Sequence, residues 1–291
     1  MSQMSLLALA LVLVAALLHA TWNIFAKRSS GGLPFVYLVG MVNVVLYAPF
    51  VLGYWLWRHP VLPAPAVLWI VGSGALKTAY ALFLQRGYKT GEFSLIYPLA
   101  RGTGPVLATL AAIVLLDERP TITALIGGGL IVASIFDLAG GTAVLRQAAA
   151  DKRVAIGFGL ATGAFIAAYT VWDRHGVASL LIVPLLYDAG TTLTGVLLLA
   201  PFAARRWPEV VQQWREHRID AAAVAGLSSI SYILVLTALA ITAVSYIAPV
   251  REVSIVIGAF FGARRLKESD GNRRILAATA IAIGILLMAV A

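Results

Sequence analysis

Five charged side chains stand inside long apolar runs, where a charge needs a reason to be: Lys77, Arg101, Asp188, Arg251 and Glu252. At bilayer depth such a group costs at least about 2.5–3.5 kcal/mol on insertion scales, so each requires a partner or an aqueous cavity. Lys77 lies nine residues before Arg86. That is ~13 Å along a helix, beyond the reach of a snorkelling side chain. Two chemistries are open to it. It pairs with a carboxylate, for which Asp188 is the obvious choice, or it holds the anionic end of a bound molecule. Asp137, about a turn from Gly140 and Gly141, reads as interfacial.

Arg101 and Glu252 each follow a proline by three residues, Pro98 and Pro249. A proline removes a backbone donor and loosens the helix one turn back, so these two positions read as hinges. Opposite charges at matching positions predict an ion pair at mid-membrane. Neutralising either charge alone is expected to harm more than neutralising both, because one buried charge is then left without compensation. The bland alternative is that these prolines and the neighbouring Gly102, Gly104 and Pro105 only permit close helix packing.

Rings gather around the same places. Tyr80 is on the face of Lys77 at i+3, and Tyr97 precedes Arg101 by four residues. His19, Trp22 and Asn23 on one helix, with Tyr169 and Trp172 on another, are expected to form facing walls, and Tyr187 adjoins Asp188. The resulting site would hold an anionic end on Lys77, Arg101 or Arg251, an apolar or aromatic body on the rings, and an ammonium on Asp188 or Glu252. Trp55, Trp57, Trp207 and Trp214 fit an interface belt instead. The chain has no cysteine, and its histidines, His19, His59, His175 and His217, make no metal-ligand spacing. No metal and no cofactor is expected. An intramembrane enzyme, the competing class, needs a nucleophile with its base or a metal site; the sequence shows no HExxH, serine elbow or paired aspartates.

The elements that must position these residues are membrane helices. The 291 residues are 60% hydrophobic and 12% charged, against about 25% charged in soluble domains. Ten apolar runs are long enough to cross ~30 Å of hydrocarbon. They start near Leu6, Leu33, Ala64, Phe93, Thr121, Val154, Val177, Ile219, Ala243 and Ile275. The first ends in Lys27 and Arg28 with no basic residue ahead of it, the reverse of a signal peptide, and is expected to be retained. The longest hydrophilic stretch runs from Arg205 to Asp220, so a single membrane domain over 1–291 is expected.

An internal repeat organises the runs. Pro34, Tyr37 and Gly40 recur as Pro184, Tyr187 and Gly190; Ala48, Pro49 and Phe50 recur as Ala200, Pro201 and Phe202. Ser94, Pro98 and Glu118 recur as Ser245, Pro249 and Glu268. Repeat one (1–150) and repeat two (151–291) thus hold five helices each. An odd number sends the second half into the membrane from the opposite side, giving two inverted five-helix repeats around a central cavity, an architecture of secondary transporters. The loops after helices 1, 3, 5, 7 and 9 carry sixteen Lys and Arg residues, whereas the opposite face has Arg58, Arg119 and Arg174. The positive-inside rule makes the crowded face cytoplasmic and puts both termini outside. The net charge of +9 is therefore read as orientation and not as a nucleic-acid surface.

With Pro98 and Glu118 in one half and Pro249 and Glu268 in the other, the chain resembles the drug/metabolite transporter (DMT) superfamily, EamA type, over essentially its whole length. The stretches from Leu18 to Asn23, Tyr97 to Gly102 and Arg251 to Ser254 resemble a narrower branch. The resemblance implies an all-α membrane protein of ten helices working by alternating access in a bacterial inner membrane, its partners a small-molecule substrate and the lipid bilayer. It implies export of amino acids, aromatic or hydrophobic ones included. Transport of an organic anion such as a phosphonate is the alternative, favoured by the surplus of Lys77, Arg101 and Arg251 over nearby carboxylates. Two features depart from the pattern: His19 stands where many members have tryptophan, and members are commonly described with cytoplasmic termini. Oligomeric state, driving ion and direction are not encoded legibly.

Overall fold

A computed structural model describes residues 4–29, 32–90, 93–138, 153–254, 257 and 271–291. Among these, ten α-helices follow in order: α1 (Leu6–Ser29), α2 (Gly32–Arg58), α3 (Ala66–Thr90), α4 (Phe93–Leu115), α5 (Ile122–Leu138), α6 (Arg153–Arg174), α7 (Pro184–Ala204), α8 (Trp207–Ile241), α9 (Val244–Arg251) and α10 (Gly271–Ala289). No strand occurs among the described residues. Six of the helices are long and apolar enough to cross a membrane, and shorter apolar helices cover Leu99–Leu115, Ile122–Asp137 and Thr279–Ala289.

Two boundaries differ from the sequence expectation. The seventh helix was expected from Val177, but His175–Ser179 forms a π-helical turn continuing α6, and α7 begins at Pro184. Proline at the first helical position needs no amide donor and has its φ preset; an unbroken apolar run through this corner hides the break. The stretch from Arg205 to Asp220 is also largely helical. It forms the first part of α8, which breaks at His217 (φ −129°, ψ 23°). A 35-residue helix is ~52 Å long, well over the ~30 Å hydrocarbon core, so the break separates a polar segment carrying exposed Trp207 and Trp214 from the apolar span.

The packing is nearly unchanged when the halves are exchanged. α1 packs on α8 and α9, just as α6 packs on α3 and α4; α2 packs on α8 as α7 packs on α3. The pairs α2–α7, α4–α9 and α5–α10 are their own counterparts. Such a pattern is what a pseudo-twofold axis between two five-helix repeats requires. Small residues let the pairs close up, as expected where lipid gives no hydrophobic drive to helix association. On α5 and α10, a Cβ on Gly127 would lie 2.6 Å from the Gly284 carbonyl oxygen, and one on Gly284 would lie 2.7 Å from that of Gly127.

Candidate functional site

The strongest polar cluster is one that sequence reasoning missed. Asp173 lies in the last turn of α6, fully buried, and gathers groups from three other helices. Its Oδ2 is 3.4 Å from Lys77 Nζ of α3 and accepts the Tyr232 hydroxyl of α8. Its Oδ1 accepts the Tyr187 hydroxyl of α7 at 2.9 Å. Lys77 also donates to Thr191 Oγ1 at 3.1 Å and sits 4.0 Å from the centre of the Tyr232 ring. The expected partner of Lys77 was Asp188; the structure gives it Asp173 instead, because α6 and α7 both face α3 and it is Asp173 that comes within reach.

Arg101 and Glu252 do meet. Arg101 Nη1 is 3.2 Å from both carboxylate oxygens. The other end of the guanidinium, Nη2, lies 2.6 Å from His19 Nε2. A guanidinium only donates, so His19 Nε2 accepts here and the imidazole is neutral with its proton on Nδ1. Arg251 is the second basic group: its Nε is 3.5 Å from Glu252 Oε1, and its guanidinium lies 5.8 Å from the Tyr169 ring centre. Glu252 is wholly buried between the two arginines.

Asp188 stands apart from these pairs. Its Oδ2 accepts the Ser229 hydroxyl at 2.5 Å, and Ser229 in turn accepts Asn43 Nδ2 at 2.6 Å. No basic side chain forms an ion pair with Asp188 among the described residues.

These groups line or underlie one cavity of about 340 Å³. Its lining includes Val36 and Tyr37 near the start of α2, Tyr80 and Ala81 in the second half of α3, and Val196 and Leu199 in the second half of α7. These stretches lie toward the α1–α2 and α7–α8 connections, the ends bearing Arg28, Arg205 and Arg206. Asp173 lies outside this lining, as does Glu118, whose carboxylate accepts the backbone N–H of Val244 and Ser245 at the start of α9. One wall is aromatic: Tyr80 and Tyr169 have centroids 5.9 Å apart, and Tyr169 and Tyr232 6.4 Å.

Two inverted repeats around a central cavity are matched by the comparison with protein families, in which the EamA-like transporter family covers residues 6–139 and 153–290. The chain belongs to that family. It is accordingly a multi-pass membrane protein of a family of small-molecule transporters. A solved crystal structure, described only as that of a protein, is similar over 97% of this chain and 96% of its own, with a TM-score of 0.74 and 16% identity; at that identity the likeness shows the fold alone. No curated protein matches the chain.

Within this family fold, the cavity is lined by His19, Trp22, Lys77, Tyr80, Arg101, Tyr169, Asp188 and Arg251. Four other expected site residues lie outside the lining. Asn23 donates to the His19 carbonyl at 2.7 Å. Trp172 donates to the Trp69 carbonyl at 2.8 Å and its ring packs on Gly72, where a Cβ would come within 2.6 Å. Tyr187 is buried in the Asp173 cluster, and Glu252 is covered by the arginines. The side chains of Tyr97 and Pro98, and all of Glu268, lie outside the described residues. Pro249 packs over Gly128, 3.2 Å from where a Cβ would be.

Lining residues that sequence reasoning passed over include Tyr37, Asn43, Thr191, Ser228, Ser229 and Ser231. Serine and threonine in membrane helices commonly bond their own helix backbone, which leaves little to distinguish these. For Asp173 a signal existed. Trp22 and Asn23 recur as Trp172 and Asp173 at an offset of 150, within the repeat register, with a charge in one copy only.

Proposed function

We propose that this protein is a secondary transporter exporting amino acids, or closely related zwitterions, across the inner membrane by alternating access. The observation that carries this reading is the charge balance of the cavity. The apparent cationic surplus disappears once Asp173 is counted, since Lys77, Arg101 and Arg251 are matched by Asp173, Asp188 and Glu252. The lining carries both signs: Arg101 and Arg251 beside Glu252, Asp188 held by Ser229, and tyrosine rings. A zwitterion satisfies both ends, whereas an organic anion leaves Asp188 without a counter-charge in a medium of low dielectric. His19, Trp22, Tyr80 and Tyr169 supply the body of the site, and the hinge role of Pro98 and Pro249 belongs to the same proposal.

The direction rests on where the lining residues lie along their helices. Much of the lining lies in the helix halves toward the connections rich in lysine and arginine, which the positive-inside rule makes cytoplasmic. An exporter loads from that side. The test is a panel of amino acids, phosphonates and carboxylates in proteoliposomes under imposed proton and sodium gradients, with the solute recovered and analysed. Amino-acid flux with the solute unchanged supports the reading. Flux of phosphonates without amino acids reverses it in favour of the organic anion, and a chemically altered solute moves the protein to the enzyme class.

A further inference from the structure

We infer that Asn43 and Asp188 together form a subsite for a primary ammonium group, and that Asn43 makes the transporter select free amines over N-alkylated and hydroxyl analogues. This rests on the amino-acid reading and adds to it a residue and a selectivity.

The orientation of Asn43 is fixed by its surroundings. Its Nδ2 donates to the Ala225 carbonyl at 3.0 Å and to Ser229 Oγ at 2.6 Å. A carbonyl can only accept, so the amide nitrogen must be on that side and the oxygen on the other. That oxygen, Oδ1, is buried and has no hydrogen-bond partner among the described residues, although Asn43 is 4% exposed and lines the cavity. A buried carbonyl oxygen left unpaired costs about 1–3 kcal/mol, so its retention calls for a donor that the protein does not itself provide.

Asp188 presents the same demand one step along the chain of bonds. Ser229 uses its hydroxyl hydrogen on Asp188 Oδ2 and its lone pair on Asn43 Nδ2. The serine therefore has no further hydrogen to offer, and it holds Asp188 and Asn43 in fixed relation. Lys77 faces the same region from α3, but its ammonium is engaged by Asp173, Thr191 and the Tyr232 ring. The Thr191 hydroxyl is likewise committed, donating to the Asp188 carbonyl. Beside the already engaged Lys77, the wall here presents a carboxylate and an unpaired amide oxygen. The ligand chemistry that answers it is a small cation with several N–H donors: one hydrogen to the carboxylate, one to the amide oxygen. A hydroxyl brings one hydrogen and no charge. A trimethylammonium brings charge and no hydrogen.

The test measures binding to the purified full chain in detergent by titration calorimetry. The probes are L-leucine, its N,N,N-trimethyl derivative, the matching 2-hydroxy acid, and propylammonium alone. Wild type is expected to bind leucine about ten- to a hundredfold more tightly than either the trimethyl or the hydroxy compound, the range of one or two charge-assisted hydrogen bonds. Asn43→Leu should lose about tenfold in leucine affinity and leave the hydroxy acid unchanged. Propylammonium separates the two layers of argument. If it binds and weakens with Asn43→Leu while no amino acid is bound or moved, the ammonium subsite stands and the amino-acid reading falls. If leucine binds but the hydroxy and trimethyl compounds bind equally well, the subsite is overturned and the amino-acid reading stands. Should Asn43→Leu fail to fold, the wild-type series decides alone.

Discussion

Arg101 and Glu252, each three residues beyond the proline of its own repeat, meet at 3.2 Å with Arg251 as a third member 3.5 Å from the same carboxylate. That third member makes the pair lopsided. Glu252→Gln leaves two buried guanidinium groups facing each other, at a cost of about 3–5 kcal/mol. Arg101→Gln leaves Glu252 still beside Arg251 and is expected to be milder. Arg101→Gln added to Glu252→Gln should recover a measurable part of the lost melting temperature in detergent. If Glu252→Gln is no worse than Arg101→Gln, Arg251 is not the compensating charge.

Lys77 is bound to a carboxylate at one end of the cavity and keeps about a quarter of its side chain accessible, 23% against 0% for Asp173. Lys77→Met is expected to lower stability by about 1–3 kcal/mol, below the range for a fully buried pair because water still reaches the lysine. Adding Asp173→Asn should restore stability. Lys77→Ala is also expected to weaken transport of every carboxylate substrate, which is checked in the same series: restored folding without restored flux assigns Lys77 to the substrate.

Glu118 holds the first two free amides of α9. Glu118→Ala strips both and is expected to cost about 0.5–2 kcal/mol, the range for loss of a helix cap. Glu118→Gln keeps one acceptor and loses the charge that favours a helix N-terminus, so it should fall between wild type and alanine in a thermal melt.

Tyr80 and Trp22 line the cavity, with the Trp22 ring packed edge-on against His19 at 4.7 Å. Tyr80→Ala or Trp22→Ala should reduce transport of bulky substrates by about 10- to 200-fold relative to small ones, the reach of lost apolar contacts in a pocket. An equal loss for alanine and tryptophan as substrates would move both rings out of the binding role.

Both termini are expected on the periplasmic face, opposite the basic loops. A carboxy-terminal fluorescent protein that matures only in the cytoplasm should stay dark in intact cells. A bright fusion reverses the orientation, and with it the export direction argued from the cavity lining.

The helices themselves were legible because crossing a bilayer imposes a length and an apolarity that few residues can disguise. The repeat was legible because its prolines, glycines and tyrosines keep a constant offset, and that offset also placed Arg101 opposite Glu252 before any coordinates. The corner at 175–183 was hidden by apolar continuity. Asp173 was hidden by its neighbours Arg174 and His175, which read as a helix leaving the membrane.

Sequence by itself therefore determined the class, the number of helices and their pairing as repeats, since all of these follow from what is adjacent along the chain. Only the tertiary structure decided that Lys77 takes Asp173 and not Asp188, that Asp188 is held by Ser229, and that Asn43, a lining residue of the cavity, keeps a buried and unpaired oxygen. Each residue along a helix turns its side chain by about 100°. Which of two nearby carboxylates meets a given lysine is then set by the rotation and crossing of three helices at once, a relation between distant segments that no local pattern in the chain records.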